Sequence, residues 1–210
     1  YLGAGKTTAI NEVLAEADRP IAVIVNDVGS INIDAALIRK RSGDTIELTD
    51  GCVCCSSIDG FGAAFDQVRS RVEPPEHVVV ELSGVAEPAN VVPWGSSAGF
   101  LLDGVVVVAA ADQVVDNSMP EWIRVHLDRQ VTEADLLVLT KTDLAEPTVT
   151  AAARARLAVL APGVPLVSTA EHGPGALGRF LALGGHRAGD AAKVPGPTLF
   201  DLHETNTVPV

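Results

Sequence analysis

The chain has 210 residues, 47% of them hydrophobic but only 4% aromatic, so its core must be built mainly from Val, Leu, Ala and Ile. Lys and Arg number 15 against 27 Asp and Glu, a formal charge of -12. That balance argues against nucleic acid, which needs a basic stripe, and against docking on an anionic membrane. The longest apolar run, VVVVAAA at 105–111, is strand-sized and falls far short of the ~20 residues of a membrane span.

The chain opens YLGAGKTTAI. Gly5, Lys6 and Thr7 fill the last three positions of the phosphate-loop pattern G-x-x-x-x-G-K-[ST], whose first Gly would fall one position before residue 1. Glycines at 3 and 5 let backbone N–H groups approach phosphate oxygens with no Cβ in the way. Lys6 can reach the β- and γ-phosphates, Thr7 offers a hydroxyl to Mg²⁺, and the helix that follows points its positive end at the anion. Gly3, Ala4, Gly5, Lys6, Thr7 and Thr8 are therefore the candidate phosphate-binding residues. The bland alternative is a glycine-rich turn before an ordinary helix; the parallel strands that follow favour the phosphate loop. In KTTAINEVLAEAD, Ile10, Val13, Leu14 and Ala17 form one apolar stripe. Such a loop normally follows the strand that anchors it. That strand is expected to precede Tyr1, which makes the chain a fragment of a longer protein and, alone, a poor nucleotide binder.

IAVIVN (21–26) reads as a buried strand. TDGCVCCSS (49–57) then holds all three cysteines, Cys52, Cys54 and Cys55, within four positions. Adjacent cysteines bridge each other only with strain, so this is no disulfide framework. It suits a reducing, cytoplasmic setting in which thiolates bind a soft or borderline metal such as Zn²⁺. Three thiolates leave one position open, which suits a site that loads and unloads. Inert buried cysteines and a redox pair are the competing readings. The five histidines, His77, His126, His172, His186 and His203, form no cluster along the sequence.

HVVVEL (77–82) is the next strand, with Glu81 at its end and Gly84 three residues on. A triphosphate site needs such an acid, and a Gly N–H there can meet a γ-phosphate and move when it leaves; a solvated strand-end Glu is the alternative. GVVVVAAAD (104–112) reads as a strand, PEWIRVHLDRQVTEA (120–134) as a helix entered through Pro120, and DLLVLT (135–140) as a strand. Thr140, Lys141 and Asp143 follow in TKTD. An Asp there can accept from guanine N1–H and N2–H₂ together, a donor pair that adenine lacks, while the Lys stem lies along the base. The usual guanine signature is N-K-x-D, and Thr140 replaces its Asn; a simple polar turn is the other reading. TVTAAARARLAVLA (148–161) is helix-forming and VPLVST (164–169) is a last strand. Strand–helix alternation implies an α/β fold, a doubly wound, mainly parallel sheet in three layers. Residues 1–184 are assigned to that domain and 185–197, rich in Gly, Ala and Pro, to a linker. Residues 198–210 are assigned to the start of a truncated C-terminal domain.

Taken together, these residues resemble the CobW-like family of P-loop GTPases, metal chaperones related to the urease and hydrogenase nickel-insertion GTPases. YLGAGKTT resembles its G-Y-L-G-A-G-K-T-T loop. IAVIVNDVGSINID resembles its V-N-E-F-G-x-x-x-I-D segment, with Asp27 for Glu and Val28 for Phe. DGCVCC matches its G-C-x-C-C. ELSGVAEP resembles its E-S-S-G-x-A-x-P with Leu82 for Ser, and VTEADLLVLTKTDL its A-D-x-x-x-x-N-K-x-D-L.

The resemblance implies GTP and Mg²⁺ as cofactors, slow GTP hydrolysis, and a divalent metal (Zn²⁺ or Co²⁺) carried on the C-x-C-C. The cargo passes to a metal-requiring client enzyme or cofactor-assembly protein, and a nucleotide-dependent dimer is among the implied states. It puts Asp27 at a switch-region acid near the magnesium, beside Thr7 and Glu81, and gives Lys6, Thr7 and Glu81 the catalytic roles. The base falls to Thr140, Lys141 and Asp143. Two other classes stay open: a non-catalytic metal sensor or buffer with nucleotide as a structural ligand, and a P-loop ATPase or kinase.

Overall fold

The structure is a computed structural model in which residues 3–16, 21–25, 45–47, 58–72, 75, 77–84 and 86–172 are described. In chain order these form α1 (Lys6–Glu16), β1 (Ile21–Val25), β2 (Thr45–Glu47), α2 (Ile58–Arg69) and β3 (His77–Glu81). A 3₁₀ turn (Pro88–Asn90), α3 (Val92–Ser97), β4 (Val106–Ala110), α4 (Ala111–Val114) and α5 (Glu121–Thr132) follow, then β5 (Leu136–Thr140), α6 (Pro147–Leu160), β6 (Leu166–Ser168) and α7 (Thr169–His172). Cys52, Cys54, Cys55, Asp27, Ala17 and the tail from residue 173 lie outside the described residues.

Every described strand pairing is parallel. One three-stranded sheet runs in the order β2-β1-β3 and a second in the order β4-β5-β6. In the first, Val25 stands opposite Glu81; in the second, Ala110 stands opposite Thr140. Those two pairs mark the carboxyl ends of their strands, the side on which open α/β sheets bind ligands.

Period-two alternation in β1 divides two cores. Ile21, Val23 and Val25 join one apolar cluster with Ile10, Val13 and Leu14 of α1 and the bulk of β4 and β5, extended by Leu127 and Val131 of α5 and Ala153 and Leu157 of α6. Ala22 and Ile24 face the other way, onto Phe61, Ala64, Phe65 and Val68 of α2 with Val91 and Ala98. Helices therefore cover both faces, which gives the three layers expected from the alternation. Phe65 stacks obliquely between Phe61 and Phe100, with ring centroids 6.5 and 5.7 Å away. Trp94 packs alongside in this smaller core.

The expected strands at 21–26, 77–82, 135–140 and 164–169 are present, each shortened by a residue or more. The run 104–112 divides: Val106–Ala110 is strand and Ala111–Val114 is helix. The break falls where β-branched residues give way to Ala and Asp, which fit a helical turn better than a pleated strand. No helix among the described residues is long and apolar enough to cross a membrane. Replacing Phe61, which is fully buried, by Ala should cost about 3–5 kcal/mol of folding stability, measured by denaturant unfolding against the parent chain.

Candidate nucleotide site

The loop before α1 is shaped by two glycines in the left-handed region, Gly3 at φ 66° and Gly5 at φ 91°. A Cβ at either would meet nothing within 4 Å, so it is the backbone conformation, not space, that requires glycine there. The first helical bond runs from the Ala9 N–H to the Gly5 carbonyl at 2.9 Å. The N–H groups of the first turn therefore point out of the helix end, as in any helix.

Side-chain contacts hold this loop on either side. The Thr7 hydroxyl donates to Glu81, at 3.1 Å from Oε1 and 3.3 Å from Oε2. Glu81, the last residue of β3, is only 7% exposed. On the other side, the Thr140 hydroxyl at the end of β5 donates to the Ala4 carbonyl at 2.7 Å, with a longer contact of 3.3 Å to the Ala109 carbonyl. A trans peptide sets its C=O and the following N–H in opposite directions. Fixing the Ala4 carbonyl on Thr140 therefore turns the Gly5 N–H to the opposite side of that peptide. Thr140 thus ties the loop to the turn that begins at Lys141.

That turn is tight. Lys141 has φ 58°, the left-handed region for a non-glycine residue, and its carbonyl accepts from the N–H groups of Leu144 and Ala145 at 3.2 and 3.1 Å. Such strained positions concentrate at ligand sites. Thr142 Oγ1 lies 3.0 Å from Ser168 Oγ, joining the turn to the end of β6. Lys141 is half-buried and Asp143 exposed. The structure thus gathers Gly3 to Thr8, Glu81 and Thr140 through direct contacts, with Lys141 and Asp143 on the turn that Thr140 opens.

Gly84, on the segment after Glu81, is buried. Its carbonyl accepts from Gln130 Nε2 at 3.1 Å, and the Ala86 carbonyl accepts from the same atom at 2.9 Å. No sequence motif marks Gln130, which lies on α5. Its one signal is that it is the polar member of the inward row Leu127, Gln130, Val131. Nearby, Glu87 pairs with His126 at 3.6 Å and Arg129 at 3.4 Å. Among the described residues no group of three or more His, Cys, Asp or Glu side chains is placed to hold a metal ion.

Thr140→Val removes a donor and leaves the Ala4 carbonyl, in a residue with no exposed surface, without it. The expected cost is about 1–3 kcal/mol of stability. Nucleotide affinity should fall to the same degree for guanine and adenine triphosphates, and Thr140→Ser should restore it; titration calorimetry with both nucleotides checks this.

Known proteins are similar to this chain in sequence and in fold. A family model described as "CobW/HypB/UreG, nucleotide-binding domain" matches residues 1–168. The chain is 31% identical over 214 residues to a zinc chaperone CobW from Sinorhizobium sp, covering 88% of the chain and 60% of that protein. It is 33% identical over 155 residues to the zinc chaperone YjiA of Escherichia coli K12, covering 69% of the chain and 48% of that protein. The chain thus spans about half the length of these relatives (60% and 48%). Among solved structures, nickel-bound HypB from Helicobacter pylori superposes with a TM-score of 0.58 at 20% identity, covering 85% of this chain and 79% of that one. Zn(II)-bound YjiA GTPase from E. coli gives 0.52 at 22% identity, covering 80% and 54%. Both structures bear out a P-loop α/β fold, and with a family match over most of its length the chain belongs to the CobW/HypB/UreG nucleotide-binding domain family.

Proposed function

We propose that this chain is the GTP-binding and GTP-hydrolysing part of a metallochaperone, with residues 1–184 as its GTPase domain. The observation that carries the reading is the Thr7–Glu81 contact, 3.1 Å between groups 74 positions apart. It joins the phosphate loop to the acid at the end of a neighbouring strand. A hydroxyl and a carboxylate are hard oxygen donors, the set that Mg²⁺ favours beside substrate phosphates. The residues thus fit the ion, and Thr7 and Glu81 would hold it, with Asp27 as a third donor. Bound there, Mg²⁺ supplies charge neutralisation for the transferring phosphoryl group.

In this reading Gly3 to Thr8 cradle the phosphates, Lys6 neutralises charge on the β- and γ-phosphates, and Gly84 offers its N–H to the γ-phosphate. Asp143 reads guanine, with Lys141 along the base. Phosphoryl transfer runs mainly on positioning and electrostatics, so no strong general base is required. Cys52, Cys54 and Cys55 carry the cargo metal, zinc first and cobalt second, for delivery to a metal-requiring client. The relatives named as zinc chaperones support zinc. Binding of GTP orders the segments on either side of the cysteines, and hydrolysis relaxes them, an order–disorder switch.

Two measurements test this. Asp143→Ala should weaken GTP by roughly 10- to 100-fold, the equivalent of about 1–3 kcal/mol, while leaving ATP unchanged. ATP binding at least as tight as GTP in the parent protein would instead favour a P-loop ATPase or kinase. Zn²⁺ titration with and without a non-hydrolysable GTP analogue should show nucleotide-dependent affinity that the Cys52/Cys54/Cys55→Ser triple variant abolishes. Absence of GTP turnover with any divalent metal would point to the non-catalytic sensor or buffer.

A further inference from the structure

We propose that Gln130 is a positioning residue for the terminal phosphate, setting the backbone of Gly84 and with it the preference for a triphosphate over a diphosphate. The inference rests on the phosphate-site reading of the proposed function and assigns α5 a part in it.

Gln130 is 6% exposed. Its side-chain nitrogen carries two hydrogens and no acceptor capacity. Two carbonyls take them: Ala86 at 2.9 Å and Gly84 at 3.1 Å, while His126 Nε2 lies further off at 3.3 Å. The opposite orientation of the amide would set its oxygen against both carbonyls, so the contacts fix which way it points. An apolar residue would fill this inward position of α5 without the cost of burying an amide; the two carbonyls account for the polar choice.

The grip falls on the segment between the Glu81 anchor and the 3₁₀ turn. Upstream, Glu81 is tied to Thr7. Downstream, the Ala86 N–H closes a turn onto the Ser83 carbonyl at 3.0 Å. Glu87 then takes His126 and Arg129 of the same helix. Gly84 is thus suspended between α1 on one side and α5 on the other. Among the described residues, the buried hydroxyl of Ser83 has no hydrogen-bond partner, which leaves a free donor directly beside Gly84. A γ-phosphate reaching from the loop meets this backbone, whereas a diphosphate stops short of it. Loosening Gln130 therefore withdraws contacts from triphosphate alone.

The test compares Gln130→Met, which keeps length and loses both donors, with the parent protein. Affinities for GDP and for a non-hydrolysable GTP analogue are measured in Mg²⁺. The expected result is a GDP affinity within about twofold of the parent and a GTP-analogue affinity lower by about tenfold, the loss of roughly one hydrogen bond to the phosphate. Equal weakening of both nucleotides, or no change in either, overturns the proposal. A parent that prefers adenine nucleotides sinks the guanine reading alone, because the triphosphate-to-diphosphate ratio can be read with either base; a full-length parent protein that binds neither sinks both. Should the Met variant fail to fold, amide exchange on the parent decides. The segment 82–91 should be protected without nucleotide and gain further protection with the GTP analogue but not with GDP; free exchange without nucleotide, or equal gain with both, refutes the clamp.

Discussion

Two hydroxyl protons suspend the phosphate loop between the two half-sheets. Thr7 reaches Glu81 on the β2-β1-β3 side, and Thr140 reaches the Ala4 carbonyl on the β4-β5-β6 side. A glycine-rich loop has high conformational freedom in the unfolded chain, and these contacts restrict it just before α1, at Ala4, and within its first turn, at Thr7. The apolar stripe of α1 completes the arrangement: Ile10, Val13 and Leu14 lie in the cluster shared by β1, β4 and β5. The cradle is thus a consequence of burial below it and hydrogen bonding at its sides.

The same interactions explain how much of the molecule is legible in its sequence. The parallel strands are, because strands covered on both faces must be continuously apolar, as IAVIV and LLVLT are. The phosphate loop and Glu81 are, because their chemistry confines residue type at fixed spacing. Thr140 is legible only as a departure from an Asn; that its hydroxyl takes up a carbonyl of the phosphate loop 136 positions away follows from tertiary proximity alone. Gln130 is hidden for the same reason, since a single polar residue in an inward row has no sequence partner to declare it. Helix α2 is masked although Phe61, Ala64, Phe65 and Val68 keep a helical spacing, because two glycines and the adjoining cysteines dominate that stretch.

Thr140 also sharpens the question of base recognition. One hydroxyl carries one proton, and that proton is committed to Ala4. In the proposed reading the base falls to the next residues of the chain, the left-handed Lys141 and the exposed Asp143. The left-handed residue turns the chain immediately after β5, so that Asp143 stands on a short turn tied by Thr142 to Ser168. The sheet end and its turn behave as one unit.

The division of β1 between two cores also joins elements far apart in the sequence. Ile24 and Ala22 press on Phe61 of α2, while their neighbours on the same strand press towards α1. Strand β3 is shared in the same way, with Val78 and Val80 on the aromatic side and Val79 on the other. Helix α2 begins at Ile58, three residues past the last cysteine. Phe61 of α2 therefore shares one core with Ala22 and Ile24 of β1 and with Val78 and Val80 of β3, the strand that ends at Glu81. The aromatic core beneath α2 is thus also the floor of the strand whose last residue takes the Thr7 hydroxyl.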